Sequence, residues 1–289
     1  MLPQDLNTKE ENTWCPGCPN FGILQSFKEA ISELVNESKI KLQNTAMVTG
    51  IGCHAKLYDY LNLNGFYGLH GRVLPVALGM KVANPELTVV GFGGDGDTFA
   101  EGMEHFVHSC RYNPDLTMIV HNNQVFALTV GQSTPTSEKG YVGGFSPSGV
   151  HEQPLNPVAL ALVSGASFIA RAYALQGAHL KEILKEAILH KGFSFVEILQ
   201  PCITFHNVVP YFQKNIYQME EGRDISDFNL AFKRSQEWDY CFDRDQKIPM
   251  GVFYKKARLI FEGQWPQYKT AWHQVERKIN WQGMIKEFQ

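Results

Sequence analysis

Two aspartates in a glycine-rich loop are the residues of this sequence best suited to chemistry. They are Asp95 and Asp97 in "GFGGDGD", residues 91–97, directly after an apolar run. Glycines let main-chain N–H groups approach phosphate oxygens, but carboxylates in the same loop would repel a diphosphate unless a divalent cation stood between them. We therefore expect a metal at Asp95. Mg2+ fits this position, because it prefers hard oxygens from carboxylates, amides, main-chain carbonyls and phosphates.

The next apolar run ends in a pair of amide side chains, in "HNNQVF", residues 121–126. A Gly-Asp-Gly loop followed by an Asn-Asn pair on the next strand resembles the thiamine diphosphate motif, in which an Asp, an Asn and one main-chain carbonyl hold Mg2+ against the diphosphate. On this resemblance, Asp95 and Asn123 match the two side-chain ligands, and the carbonyl of Val125 matches the third.

The cysteines indicate a second metal site. The chain has six, and without a secretion signal metal or redox use explains them better than disulfides. "WCPGC" lets one tight turn aim Cys15 and Cys18 at a single metal, and Cys53 and Cys202 each follow a predicted strand. Four thiolates suit a tetrahedral site, and zinc and a 4Fe-4S cluster share that ligand set. The neighbouring diphosphate site favours the cluster, because zinc has no redox chemistry.

The elements that position these motifs alternate along the chain. Strands alternating with helices predict an α/β fold with a mostly parallel sheet and helices on both faces, and ligands of such sheets bind beyond the carboxyl ends of the strands. The predicted helices span residues 21–35, 72–83, 97–112 and 178–192, and the predicted strands span residues 45–52, 87–94, 116–123, 167–173 and 194–201.

An ordered series of motifs resembles the β subunit of the two-subunit 2-oxoacid:ferredoxin oxidoreductases. The resemblance covers about the first 205 residues and includes one motif near the end of the chain. The motifs are "WCPGC", "GIGC", "LHGRVLPVALGMKVA", "GGDGD", "EHFVHSCRYN", "GQSTPTS", "QPCITF" and, at residues 248–254, "IPMGVFY". The ordered series is far more specific than any one motif.

The resemblance implies a cofactor set and a reaction. The cofactors are thiamine diphosphate, Mg2+ and one 4Fe-4S cluster, with Cys15, Cys18, Cys53 and Cys202 at the ligand positions. The reaction is coenzyme A-dependent oxidative decarboxylation of a 2-oxoacid, or the reverse reductive carboxylation, with single electrons passing through the cluster to ferredoxin or flavodoxin. The α subunit would bring the pyrimidine-binding domain, a gamma-type domain and the glutamate that activates the cofactor. The isolated chain should therefore be inactive.

Two residues are candidates for substrate contact. Lys56 follows Cys53 closely, so its ammonium group could pair with a substrate carboxylate, although an ordinary surface lysine is the alternative. His70 could bond substrate or diphosphate, or it could satisfy main-chain groups of its loop. The other positions that match cofactor contacts in the family are Gly52, Cys53, His54, Gly94, Gly96, Asp97, Leu128 and Thr129.

The sequence predicts two regions. Residues 1–207 form the thiamine diphosphate and 4Fe-4S-binding domain, and residues 208–289 form a charged C-terminal extension that holds four of the five tryptophans. Aromatic residues on a segment with little core of its own usually bury against another surface. We interpret the extension as a docking arm; the alternative is a small helical subdomain packed on the domain's own sheet.

Other classes of protein are excluded or kept as alternatives. The net charge of −3 and the absence of a basic stripe argue against nucleic acid as a partner. We find neither a signal peptide nor an apolar run of membrane-spanning length, and we expect a cytoplasmic protein without a membrane partner. Two rival interpretations stay open. One is a non-redox thiamine diphosphate decarboxylase or synthase with a zinc or vacant cysteine site, and the other is a non-catalytic metal-stabilised scaffold.

Overall fold

The computed structural model describes residues 1–266, 270–276 and 279–289. Its strands are β1 (Thr45–Thr49), β2 (Asn64–Tyr67), β3 (Thr88–Gly94), β4 (Leu116–Asn122), β5 (Val125–Phe126), β6 (Gln132–Ser133), β7 (Phe168–Tyr173), β8 (Ser194–Leu199), β9 (Ile216–Gln218) and β10 (Ile248–Lys255). Its α-helices are α1 (Asn20–Asn36), α2 (Leu57–Tyr60), α3 (Val73–Ala83), α4 (Asp95–Phe99), α5 (Met103–Tyr112), α6 (Pro157–Ser164), α7 (Gly177–Leu189), α8 (Val209–Asn215), α9 (Phe228–Ser235) and α10 (Trp281–Glu287).

One large sheet organises the part of the chain that the structure describes. Its eight strands lie in the order β2-β1-β3-β4-β8-β7-β10-β9, and neighbouring strands are parallel except for β10 and β7, which are antiparallel. β5 and β6 form a separate antiparallel hairpin. The predicted fold class, a mostly parallel sheet with helices on both faces, is confirmed.

Helices cover both faces of the sheet, which is why the central strands are buried from end to end. On one face, α1 packs beside α7 and buries Ile23, Phe27 and Ile31, which lie one helical turn apart. On the other face, α3, α5 and α6 bury a second apolar cluster that includes Phe106 and Val158.

The predicted helix over residues 97–112 is interrupted. It forms two helices, α4 and α5, separated at Gly102. A Cβ atom at Gly102 would lie 2.7 Å from the carbonyl oxygen of Gly71, which itself has a φ of +70°. Only a residue without a side chain permits this approach. The interruption thus brings the loop that contains His70 against the aspartate loop.

The C-terminal region contributes strands to the same sheet. β10 pairs with β7, and β9 pairs with β10 at the sheet edge. Trp238 and Tyr240 are fully buried in an apolar cluster with Leu199 of β8 and Phe212 of α8. The predicted division at residue 207 therefore marks no break in the sheet, and the docking arm stays a prediction for the residues after β10.

No helix within the described residues is long and apolar enough to cross a membrane.

Candidate active site

A cleft lies beyond the carboxyl ends of β1, β3 and β4, where ligands of parallel sheets bind. Most of the residues predicted to bind cofactor or substrate line this one cleft. They are Gly52, Cys53, His54, His70, Gly94, Asp95, Gly96, Asp97, Asn123, Val125, Leu128 and Thr129.

Asp95 is a buried carboxylate held by hydroxyl groups. Its Oδ2 atom accepts hydrogen bonds from Thr134 Oγ1 at 2.6 Å and from Thr136 Oγ1 at 2.7 Å. It forms no ion pair with any cationic side chain among the described residues, and burial raises its pKa. Burial without a compensating positive charge is unfavourable for an anion, so a divalent cation would fit this position.

Asn123 and Val125 lie beside Asp95 in the cleft. Gln124 between them has a φ of +60°, and this left-handed residue turns the chain at the end of β4. Asn123 Oδ1 accepts a hydrogen bond from the main-chain N–H of Val125 at 3.1 Å. The carboxylate, amide and carbonyl oxygens that Mg2+ prefers are therefore available from two neighbouring strand ends.

Asp97 has a different environment. Its Oδ1 accepts the N–H of Gly71 at 2.8 Å and lies 2.9 Å from His70 Nδ1, while its Oδ2 lies 3.5 Å from His54 Nε2. Burial alone would raise the pKa of Asp97, but the two histidines outweigh burial and hold this pKa well below its usual range. Asp97 in turn raises the pKa of His70. Asp97 therefore orients both histidines at the cleft.

The main chain at Gly96 lies against an aromatic ring. A Cβ atom there would lie 2.2 Å from the Phe126 ring, so any side chain would require this ring to move. With glycine at this position, no side chain covers the main chain in the first turn of α4. A phosphate group can therefore approach the main-chain N–H groups there.

The four predicted cluster ligands lie near one another. Burial, and then the negative charges of Cys53, Cys202 and Cys15, raise the pKa of Cys18 to about 11. Several groups can donate to these sulfurs: Gln200 Nε2 lies 3.8 Å from Cys18 Sγ, and the N–H of Phe205 lies 3.4 Å from Cys202 Sγ. The raised pKa of Cys18 and these shared donors indicate that Cys15, Cys18, Cys53 and Cys202 lie in one neighbourhood.

Among the described residues, no group of three or more His, Cys, Asp or Glu side chains has an arrangement that could hold a metal ion. Cluster ligation by Cys15, Cys18, Cys53 and Cys202 accordingly stays a prediction.

Comparison with known proteins decides the family. Residues 50–198 match the family model described as thiamine pyrophosphate enzyme, C-terminal TPP binding domain, and residues 202–270 match the model for the C terminal of the pyruvate ferredoxin oxidoreductase beta subunit. The β subunit of 2-oxoacid:ferredoxin oxidoreductase 1 from Aeropyrum pernix is 40% identical over 260 residues, which are 86% of this chain and 79% of that protein. The chain belongs to the β-subunit family of the 2-oxoacid:ferredoxin oxidoreductases.

Two further relatives agree with this assignment to the 2-oxoacid:ferredoxin oxidoreductases. A 2-oxoglutarate synthase subunit from Archaeoglobus fulgidus is 42% identical over 249 residues, 86% of each chain. The 2-oxoglutarate:ferredoxin oxidoreductase from Magnetococcus marinus, solved with 2-oxoglutarate, coenzyme A and succinyl-CoA bound, superposes with a TM-score of 0.89 at 31% identity. That match covers 100% of this chain and 96% of the other. The chain is therefore an enzyme subunit of the thiamine diphosphate-binding class.

Lys56 is the one predicted contact residue of this oxidoreductase subunit that lies outside the residues lining the cleft. Its ammonium group donates to Thr13 Oγ1 at 2.9 Å and to the Thr13 carbonyl at 3.2 Å. Lys56 therefore joins the segment after Cys53 to the segment before Cys15, and its contact with a substrate carboxylate stays a prediction.

Several residues that line the same cleft were not predicted from the sequence, including His121, Phe126 and Gln200. His121 is buried, and its Nδ1 lies 2.8 Å from Asn20 Oδ1. Burial, and then His54, hold the pKa of His121 well below its usual range. The sequence positions of His121 and Gln200 indicate a place at the site, because His121 directly precedes the Asn pair and Gln200 closely precedes Cys202.

Proposed function

We propose that this chain carries the thiamine diphosphate, Mg2+ and 4Fe-4S sites of a 2-oxoacid:ferredoxin oxidoreductase. The enzyme would catalyse coenzyme A-dependent oxidative decarboxylation of a 2-oxoacid, or the reverse reductive carboxylation. One observation carries the proposal: Cys53 lines the cleft beside Asp95, and its thiol also interacts electrostatically with Cys202 and Cys15. The same short segment thus belongs to both the cleft and the group of thiols, as electron transfer from a cofactor to a cluster requires.

The proposed metal ligands are assigned from their donor atoms. Asp95, Asn123 and the carbonyl of Val125 would hold Mg2+, and Cys15, Cys18, Cys53 and Cys202 would hold the cluster. When bound, thiamine diphosphate supplies the decarboxylation chemistry and the cluster supplies one-electron transfer. The residues of this chain would orient the reactants, provide charged groups and exclude water from the cleft.

The remaining cleft residues would orient the reactants. Gly94 and Gly96 leave main-chain N–H groups free to approach a diphosphate, and Leu128 and Thr129 would form the wall beneath the thiazolium ring. His70 has a side chain that is 35% exposed, and Asp97 raises its pKa. A histidine with a raised pKa favours its positive form, so His70 would pair with the substrate carboxylate or the diphosphate.

The proposed partners follow from the chemistry. An α subunit would contribute the pyrimidine-binding domain, with the gamma-type domain, because the β-subunit family forms only part of the enzyme. A 2-oxoacid and coenzyme A would be the substrates, and ferredoxin or flavodoxin would accept the electrons. The relatives named above include enzymes of 2-oxoglutarate, and the choice of 2-oxoacid would depend on the α subunit as well as on this cleft.

The assay that tests this function uses the complete complex. We expect the chain, co-expressed with the α subunit and purified without oxygen, to reduce a viologen dye in the presence of a 2-oxoacid. The activity should require coenzyme A, thiamine diphosphate and Mg2+, and the chain purified alone should be inactive. A colourless complex that decarboxylates without reducing the dye would instead establish the non-redox enzyme. A complex that binds no thiamine diphosphate would establish the scaffold.

The end of the chain fits the docking arm predicted from the sequence. Helix α10 buries none of its side chains. Trp281, Met284, Ile285 and Phe288 are large apolar residues that are 49% to 89% exposed. Clustered apolar surface of this kind marks interaction sites. Because the β-subunit family assembles with α subunits, we propose that α10 docks on the α subunit.

Removing residues 280–289 should weaken docking on the α subunit and leave folding unaffected. The shortened chain should keep the melting temperature of the full chain, since α10 buries no side chain. Its affinity for the α subunit should fall about tenfold or more, because buried aromatic residues dominate interface energies. Thermal unfolding and titration of the two subunits measure these effects. Equal affinity of the short and full chains for the α subunit would contradict the docking role.

A further inference from the structure

A buried ion pair lies between two central strands and the C-terminal region. Arg171 of β7 and Glu197 of β8 are fully buried, and Arg171 Nε donates to Glu197 Oε2 at 2.7 Å. The hydroxyl of Tyr240 accepts from Arg171 Nη2 at 2.6 Å and donates to Glu197 Oε2 at 2.9 Å. Trp238 stacks on Tyr240 with ring centroids 4.2 Å apart. Buried charges persist when such hydrogen bonds compensate for lost water, so the three groups act as one unit.

Glu197 extends this unit to the end of β4. Its Oε1 accepts from Asn122 Nδ2 at 2.8 Å, and Asn122 Oδ1 accepts the N–H of Gln124 at 3.1 Å. Asn122 and Gln124 alternate along the chain with Asn123 and Val125, which line the cleft. The buried side of this segment is therefore fixed by Glu197, and its other side carries the proposed Mg2+ ligands.

One further contact joins Tyr240 to the segments that carry the proposed Mg2+ ligands, residues 122–125 and Asp95. Gln124 Nε2 donates to the carbonyl of Tyr240 at 2.9 Å and also to the carbonyl of Thr136. Thr136 Oγ1 lies 2.7 Å from Asp95 Oδ2 and 3.0 Å from Asn122 Oδ1, so its single proton can go to either acceptor. Tyr240 thus reaches these segments through its hydroxyl, by way of Glu197, and through its main-chain carbonyl, by way of Gln124.

We propose that Tyr240, acting through Glu197 and Gln124, is a positioning residue for the Mg2+ and thiamine diphosphate site. This inference rests on the proposed function. It gives a segment far along the chain, residues 238–241, a role in cofactor binding that differs from docking. The physical reason is the strict geometry of Mg2+, which requires near-octahedral ligands and therefore responds to small displacements of Asp95, Asn123 and Val125. Groups that orient metal ligands typically change metal affinity by about 10–100-fold when removed.

The test compares two variants that each lose one tyrosine hydroxyl bonded to a glutamate. Tyr240→Phe removes the hydroxyl described above. Tyr217→Phe is the matched control, because Tyr217 donates to Glu237 Oε2 at 2.6 Å in the same C-terminal region, outside the network around Glu197. Each complex with the α subunit is depleted of cofactor with a chelator. Calorimetric titration then gives the Mg2+ concentration for half-saturation at excess thiamine diphosphate, and the number of sites.

We expect Tyr240→Phe to need about tenfold more Mg2+, with an unchanged number of sites, and Tyr217→Phe to match the parent. An unchanged requirement in Tyr240→Phe, or an equal increase in both variants, would overturn the inference. If Tyr240→Phe fails to fold, Gln124→Met replaces it, since this change removes the other contact with Tyr240. A parent complex without any Mg2+-dependent thiamine diphosphate binding would overturn the proposed function as well. Mg2+-dependent thiamine diphosphate binding by the parent, together with an unchanged Mg2+ requirement in the variants, would overturn only the positioning role of Tyr240.

Discussion

Replacing Cys202 with alanine is expected to remove the iron–sulfur cluster from the complex. The parent should contain about four irons and four sulfides per chain, because four cysteine thiolates hold one 4Fe-4S cluster. Cys202 approaches the group from a different chain segment than Cys15, Cys18 and Cys53, and its charge contributes to the raised pKa of Cys18. Loss of one of four ligands leaves an iron open to solvent. Iron and sulfide analysis and the visible spectrum of the complex, purified without oxygen, measure the loss.

A second cysteine provides the control for this experiment. Cys110 is fully buried, and burial raises the pKa of its thiol; it packs with Phe106 in the apolar cluster under α5. Cys110→Ala should therefore retain the parental iron content. Zinc in the parent, or iron that persists in Cys202→Ala, would refute electron transfer through this site and leave a non-redox thiamine diphosphate enzyme.

Changing Asp95 to asparagine should weaken Mg2+-dependent thiamine diphosphate binding by more than about 100-fold, because it removes a metal ligand that carries charge. The same change should raise the melting temperature of the chain without cofactor. Burial raises the pKa of Asp95, so at neutral pH folding forces an unfavourable anion into the interior. An amide of the same shape avoids that cost. Thermal unfolding with and without Mg2+ and thiamine diphosphate measures both effects.

Asp97→Asn is the matched control because Asp97 has the opposite pKa shift. Its pKa is lowered in the folded chain, so its charge stabilises the fold above the unfolded pKa, and this contribution disappears as the pH falls through the lowered pKa. At neutral pH, Asp97→Asn should therefore lower the melting temperature where Asp95→Asn raises it. An equal decrease in the melting temperature of both cofactor-free variants would contradict the proposed role of Asp95 as a metal ligand.

The sequence allowed most of the cleft to be predicted because its residues follow short motifs at strand ends. In a parallel sheet, those ends meet at one edge, so Cys53, Asp95 and Asn123 came together as expected. The partners of Asp95 were not predicted, although Thr134 and Thr136 lie in the recognised "GQSTPTS" motif. Their role depends on how a hairpin folds back over α4, and no local pattern encodes that contact.

Other features depend on contacts between distant parts of the chain. The break at Gly102 arises from its approach to Gly71, whereas the apolar pattern around it is that of one continuous helix. β2 is exposed along its whole length and gives no apolar run. Arg171 is fully buried on β7, although a charged residue in a predicted strand would ordinarily face solvent; its partners are Glu197 and Tyr240.

The position of β10 near the end of the sequence affects how the chain folds during translation. β7 is made about eighty residues before β10, the strand that covers its edge, and the pairing is antiparallel and long-range. During that interval of translation, β7 presents an open edge of unpaired main-chain groups, which is a hazard for aggregation. Tyr240 emerges within the same interval. If Tyr240 positions the Mg2+ ligands as proposed, cofactor loading would follow synthesis of this segment, and nascent chains should be prone to aggregation until β10 has paired.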